Sequence, residues 1–164
     1  MSQAANKLDW CLKKAQKEGS EHRGLIIVAP DKKKAEDHIQ KALHYLEVTE
    51  YLRKGGYVGD CASTLFYAIY QSLLAIGLRF GYESRNQECT FALMYVLAEE
   101  EKITLDKVLL EKIASLNPEN KDTSVKLRER MQYGTEISMS KDAYEKMFGL
   151  AKRVLEQAKH TVVN

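Results

Sequence analysis

The residues of this chain whose types and spacing could do chemistry stand together toward its carboxyl end, in the stretch R-E-R-M-Q-Y-G from Arg128 to Gly134. Arg128 and Gln132 are one helical turn apart, so a helix would place them on the same face. Arginine presents a planar fork of donors that matches a phosphate group. A tyrosine can hydrogen-bond to a nucleotide or stack on its base. We therefore interpret Arg128, Arg130 and Tyr133 as candidate residues for binding an anion or a nucleotide.

A structural role is the alternative interpretation of the same stretch. In that case Arg128 and Arg130 lie on the surface of an ordinary bundle helix, and Tyr133 anchors the end of that helix. The sequence leaves both interpretations open.

Other chemical motifs are missing from the chain. It has no Gly-rich phosphate loop, no H-E-x-x-H, no G-x-S-x-G and no EF-hand loop. Its histidines and cysteines do not have the spacing of a zinc site. We therefore expect neither a metal nor a cofactor.

Composition narrows the class of protein. The 25 basic and 23 acidic residues nearly cancel, leaving a net charge of +2, which excludes a strongly basic nucleic-acid coat protein and an acidic tail protein. Only 9 glycines and 2 prolines occur in 164 residues. So few helix breakers favour long helices over a turn-rich β sandwich.

Apolar periodicity and capping residues predict seven helices. They cover 6–17, 32–54, 60–80, 84–98, 105–116, 122–134 and a last helix after Ser140. The run Leu25–Ala29 is too isolated to build a sheet, so we expect an extended stretch laid over the body. The predicted fold is all-α: one domain over 1–164, an up-and-down antiparallel bundle of four to five core helices with short extra helices. Residues 1–30 would form an amino-terminal helix and arm packed on that bundle.

The cysteines and one apolar helix bear on location. Cys11, Cys61 and Cys89 are odd in number and far apart, so we expect no disulfide framework and a reducing cytoplasm. Residues 61–78 carry no charge and are just long enough to cross a bilayer. Their serine, threonine and glutamine content indicates a buried core helix instead, and we expect no contact with a membrane.

Five stretches, in this order along helices, resemble one known family. They are N-K-L-D-W-C-L (6–12), A-E-D-H-I-Q-K-A-L-H-Y-L (35–46), S-T-L-F-Y-A-I-Y-Q-S-L-L-A-I-G (63–77), S-R-N-Q-E-C-T (84–90) and R-E-R-M-Q-Y-G (128–134). Together they resemble HEPN-domain proteins, nucleotide-binding helical proteins of prokaryotes and higher eukaryotes. The opening and fourth stretches are most similar to an uncharacterised, largely archaeal group of that family.

The resemblance implies a helical bundle that commonly dimerises. Many HEPN proteins are metal-independent endoribonucleases. Others are inactive partners in toxin–antitoxin systems, often beside a small nucleotidyltransferase. Active members carry Arg-x4-6-His, with two such motifs meeting across a dimer. A base there takes the proton of the RNA 2′-hydroxyl, and a cation stabilises charge on the phosphate.

This chain departs from the family pattern at both histidine positions. Arg128 matches the family arginine, but Tyr133 stands where the catalytic histidine should be. Gln87 occupies a position at which similar sequences tend to have histidine. A tyrosine, with an ordinary pKa of about 10, is a poor base near neutral pH, and a glutamine cannot transfer a proton.

The resemblance, together with these departures, therefore implies a non-catalytic homodimer, which the cysteine content predicts to be cytoplasmic. It would bind a nucleotide, RNA or a partner nucleotidyltransferase through Arg128, Arg130, Tyr133 and Gln87. The alternatives are a metal-independent endoribonuclease and a purely structural dimeric module.

Overall fold

Polar capping residues set the beginning of most helices in the computed structural model, which describes residues 1–164. The helices are α1 Gln3–Glu18, α2 Lys32–Lys54, α3 Cys61–Arg79, α4 Gln87–Glu99, α5 Lys107–Ile113, α6 Ser124–Tyr133 and α7 Lys141–Val163. In six of them, the side chain of the preceding residue accepts a backbone N–H from the first turn. The exception is α3, which continues from a 3₁₀ turn over Val58–Asp60. The predicted all-α class is confirmed.

Helix α3, whose one charged residue is Arg79 at its end, lies at the centre of the bundle and packs against α2, α7, α6 and α4. Its apolar residues are buried on nearly all sides, including Leu65, Ile69, Leu73 and Ile76, which have no exposed surface. The segment Val58–Arg79 is long and apolar enough to cross a membrane by length and composition alone. Because 67% of its apolar window is buried inside the protein, its composition is explained by its position in the core of the bundle.

The run around Leu25 does build a sheet, so the expectation that it is too isolated was wrong. Strand β1 (Leu25–Ile27) pairs antiparallel with β2 (Tyr82–Ser84), with Ile26 opposite Glu83. The partner strand comes from the connection between α3 and α4, far away in the sequence. Gly81, at φ +83°, makes the turn into β2 in a conformation that favours glycine. Ser84 therefore belongs to a strand, and Asn86 caps α4 in its place.

A disulfide joins α1 to α4, although the number and spacing of the cysteines predicted no disulfide framework. Cys11 and Cys89 are bonded, with their Cα atoms 5.9 Å apart, and both are fully buried. Cys61 is the single free cysteine and is also buried. The pair was not expected because 78 positions separate its members, and only the packing of α1 on α4 brings them together.

Candidate functional site

Helix α6 positions the candidate residues. Thr123 caps it by accepting the N–H of Lys126, and the helix packs against α3 and α5. Arg128 lies on the side toward α3, with its guanidinium carbon 4.5 Å from the centre of the Phe66 ring. A guanidinium over an aromatic face is held by electrostatic attraction to the ring. The side chain of Arg128 is thus fixed against the core helix and does not extend freely into solvent.

Two glutamine amides hold the planar end of Arg128. One terminal nitrogen donates to Gln132 Oε1 at 2.8 Å, and the other donates to Gln87 Oε1 at 3.4 Å. Gln132 is the residue one turn along α6, and Gln87 is the first residue of α4. The structure thus brings together Arg128 and Gln87, which were predicted to share a site, and confirms that Arg128 and Gln132 share a helix face.

The charge of Arg128 has no carboxylate partner. No Asp or Glu oxygen lies within 4.0 Å of its guanidinium, and the half-buried residue meets only neutral groups. Its Nε is buried and has no hydrogen-bond partner. A half-buried cation beside neutral dipoles retains much of its attraction for an anion. The amide nitrogens of Gln87 and Gln132 make no hydrogen bond in the protein and can donate to the same anion.

Arg130 and Tyr133 do not join this cluster. Arg130 is exposed and lines a different cleft, between α6 and α7. Tyr133 is 76% exposed at the end of α6. Residues two and five positions after Arg128 point away from it around a helix. The predicted four-residue site is therefore reduced to Arg128 and Gln87, joined by Gln132 and Phe66.

The four histidines are engaged away from Arg128. His38 bonds to Gln71 at 2.5 Å, His22 accepts the N–H of Gly24, and His160 bonds to Asn164. His44 packs edge-on against Tyr45. No histidine shares a hydrogen bond with Arg128. The cluster can therefore bind and orient an anion, while none of its members is a histidine or a carboxylate that could act as a base.

Phe66 is a member of the site that the sequence does not single out. It lies in the apolar run of α3, where every aromatic residue is equally expected in the core. It stacks on Tyr70, with ring centres 6.1 Å apart. Only the docking of α6 on α3 shows that this ring, and not a neighbouring one, supports Arg128.

No group of three or more His, Cys, Asp and Glu side chains is arranged to hold a metal ion. No known family model matches the chain, and no curated protein matches it. The fold and the site together define an all-α protein with a half-buried, uncompensated arginine between α3, α4 and α6.

Proposed function

We propose that this is a HEPN-like helical protein that binds a nucleotide or RNA, without cleaving it, through a phosphate group at Arg128. The observation that carries the proposal is the half-buried guanidinium of Arg128, which has no carboxylate partner. Leaving a charge partly desolvated is unfavourable unless something compensates it. A phosphate bound at the guanidinium would supply that compensation through charge-assisted hydrogen bonds.

The neighbouring groups suit a phosphate-bearing ligand. The amide nitrogens of Gln87 and Gln132 would donate to phosphate oxygens, or to the edge of a base. Phe66 holds the guanidinium plane in one orientation, which lowers the entropy cost of binding. With Tyr133 exposed and no histidine bonded to Arg128, the site favours binding over proton transfer.

The further parts of this proposal rest on the family resemblance alone. They are a homodimer and a partner nucleotidyltransferase in a toxin–antitoxin system; the proposed cytoplasmic location rests instead on the odd number and wide spacing of the cysteines.

The test is to measure binding of labelled single-stranded RNA at low salt, in the presence of a chelator. Low salt is used because phosphate contacts are strongest there. The variant Arg128→Met removes the charge and keeps an apolar chain of similar length over Phe66. We expect it to weaken binding about tenfold or more while the circular dichroism spectrum is unchanged. Lys54→Gln, an exposed cation at the end of α2, is the matched control and should bind like the wild type.

Two results would contradict the proposal. Equal affinity of Arg128→Met and wild type would remove Arg128 from the binding site. RNA cleavage by the wild type that disappears in Arg128→Met would make the protein an endoribonuclease.

A further inference from the structure

A second cleft lies between α6 and α7, near the end of α5, and has a volume of about 580 Å³. That is within the range of small-molecule sites. Five cationic side chains line it: Lys112, Lys121, Arg130, Lys146 and Arg153. They come from three helices and from the loop before α6, so the fold and not a local charge run assembles them.

Most of this positive charge is uncompensated. Among the five, only Lys146 forms an ion pair, with Asp142 at 3.1 Å. The others have no carboxylate oxygen within 4.0 Å. Two acidic residues, Asp122 and Glu145, also line the cleft, and Glu145 is paired with Lys141. The cleft therefore attracts anions.

The floor of the cleft is apolar. Leu127 of α6 and Met147 and Leu150 of α7 line it. Gly149 widens it, because nothing lies within 4 Å of the point where a Cβ atom would stand. A ligand that fills this space would place an apolar or aromatic body on the floor and its charged groups among the lysines and arginines.

The first turn of α6 adds to the positive electrostatic potential of the cleft. Thr123 and Ser124, at its beginning, are part of the lining. The amino terminus of a helix carries partial positive charge and free N–H donors. This contribution reinforces the cationic side chains and would be too small to define a site without them.

We propose that the cleft between α6 and α7 binds a small molecule that carries two or more phosphate groups on an apolar body. Four unpaired cations are more than a single phosphate needs. Asp122 and Glu145 interrupt the basic surface, which disfavours a continuous track for a polynucleotide backbone. The cleft is separate from the Arg128 cluster, because residues two apart in a helix point about 200° apart and Arg130 faces α7 while Arg128 faces α3.

The test is calorimetric titration of the full chain with ATP, ADP, AMP and pyrophosphate, in a chelator. We expect affinity to rise with the number of phosphates and ADP to bind more tightly than pyrophosphate. The double variant Arg130→Gln/Arg153→Gln should weaken ATP binding by about a hundredfold, roughly tenfold for each charged contact. Lys152→Gln is the matched control, since this exposed residue precedes Arg153 on α7 but does not line the cleft.

The Arg128→Met variant separates this proposal from the function proposed above. If the cleft is the ATP site, Arg128→Met leaves ATP affinity unchanged, whatever it does to RNA binding. ATP binding that is lost in Arg128→Met and kept in the double variant would overturn the cleft proposal and support the Arg128 site. Absence of any ATP binding would overturn it as well. Pyrophosphate binding as tight as that of ADP would refute the role of the apolar floor.

Discussion

Breaking the Cys11–Cys89 disulfide should lower the stability of the protein substantially. The bridge joins residues 78 positions apart, so it restricts nearly half of the unfolded chain. The loop-closure entropy of such a cross-link corresponds to about 4.5 kcal/mol at room temperature. For a chain of this length, that loss should lower the melting temperature by roughly 10 °C or more.

The assay compares thermal unfolding of the oxidised wild type with that of Cys11→Ala/Cys89→Ala. A variant is preferable to reductant alone because both sulfurs are fully buried, so a reductant reaches them only when the structure opens. Cys61→Ala is the matched control. It removes an equally buried cysteine that forms no bridge, and it therefore measures the cost of losing a buried sulfur together with the hydrogen bonds that this thiol donates to the carbonyls of Thr49 and Tyr57. Burial raises the pKa of the Cys61 thiol to about 11, so this thiol should not exchange with the disulfide near neutral pH.

Two results would refute this reasoning. One is a thiol titration that finds three free thiols in protein that has been denatured without a reductant. The other is a decrease in melting temperature, relative to the wild type, that is the same in the double variant as in Cys61→Ala. The experiment also tests the proposed location, because reducing compartments rarely keep disulfides. A bridge found in protein whose thiols were blocked at lysis would contradict a cytoplasmic protein.

Two further predictions concern local packing and pH. Gly149→Ala should raise the free energy of unfolding by about 0.5–1 kcal/mol in urea denaturation, because its new Cβ meets nothing within 4 Å. Gly59→Ala should lower it by about 1–3 kcal/mol, because that Cβ collides with the backbone carbonyl of Ile137; the reverse order of the two variants would contradict both assignments. Burial and the Glu50 carboxylate raise the pKa of Tyr144 to about 12, so the folded state holds this proton more tightly and stability should fall as pH rises from about 10 to 12. Tyr144→Phe should flatten that decline. If the free energy of unfolding of this variant depends on pH as that of the wild type does, the raised pKa of Tyr144 is contradicted.

Helix positions followed from local signals in the sequence. The stripe of α7 that includes Tyr144, Met147, Ala151 and Val154 is buried as its periodicity predicts. Asp31, Thr123 and Ser140 each accept an N–H group from the first turn of the helix that follows them. Such features depend on residues that are only a few positions apart in the sequence. Helical geometry makes these residues neighbours whatever the rest of the fold does.

The candidate site was only half predictable. The pairing of Arg128 with Gln132 follows from helical spacing, and the convergence with Gln87 was inferred from family resemblance. Periodicity alone also separates Arg130 from Arg128 by about half a turn. Periodicity does not show which of the two arginines faces α3. The docking of α6 on α3 determines this, and it places Arg128 over Phe66.

By itself, the sequence determined an all-α chain, the approximate extent of its helices and a buried α3. Tertiary structure decided the pairing of β1 with β2, the Cys11–Cys89 bridge, the position of Phe66 under Arg128 and the basic cleft between α6 and α7. The physical reason is the range of the interactions. Helices arise from contacts within one or two turns, whereas these four features join segments far apart in the chain, and only the packing of whole helices sets which segments meet.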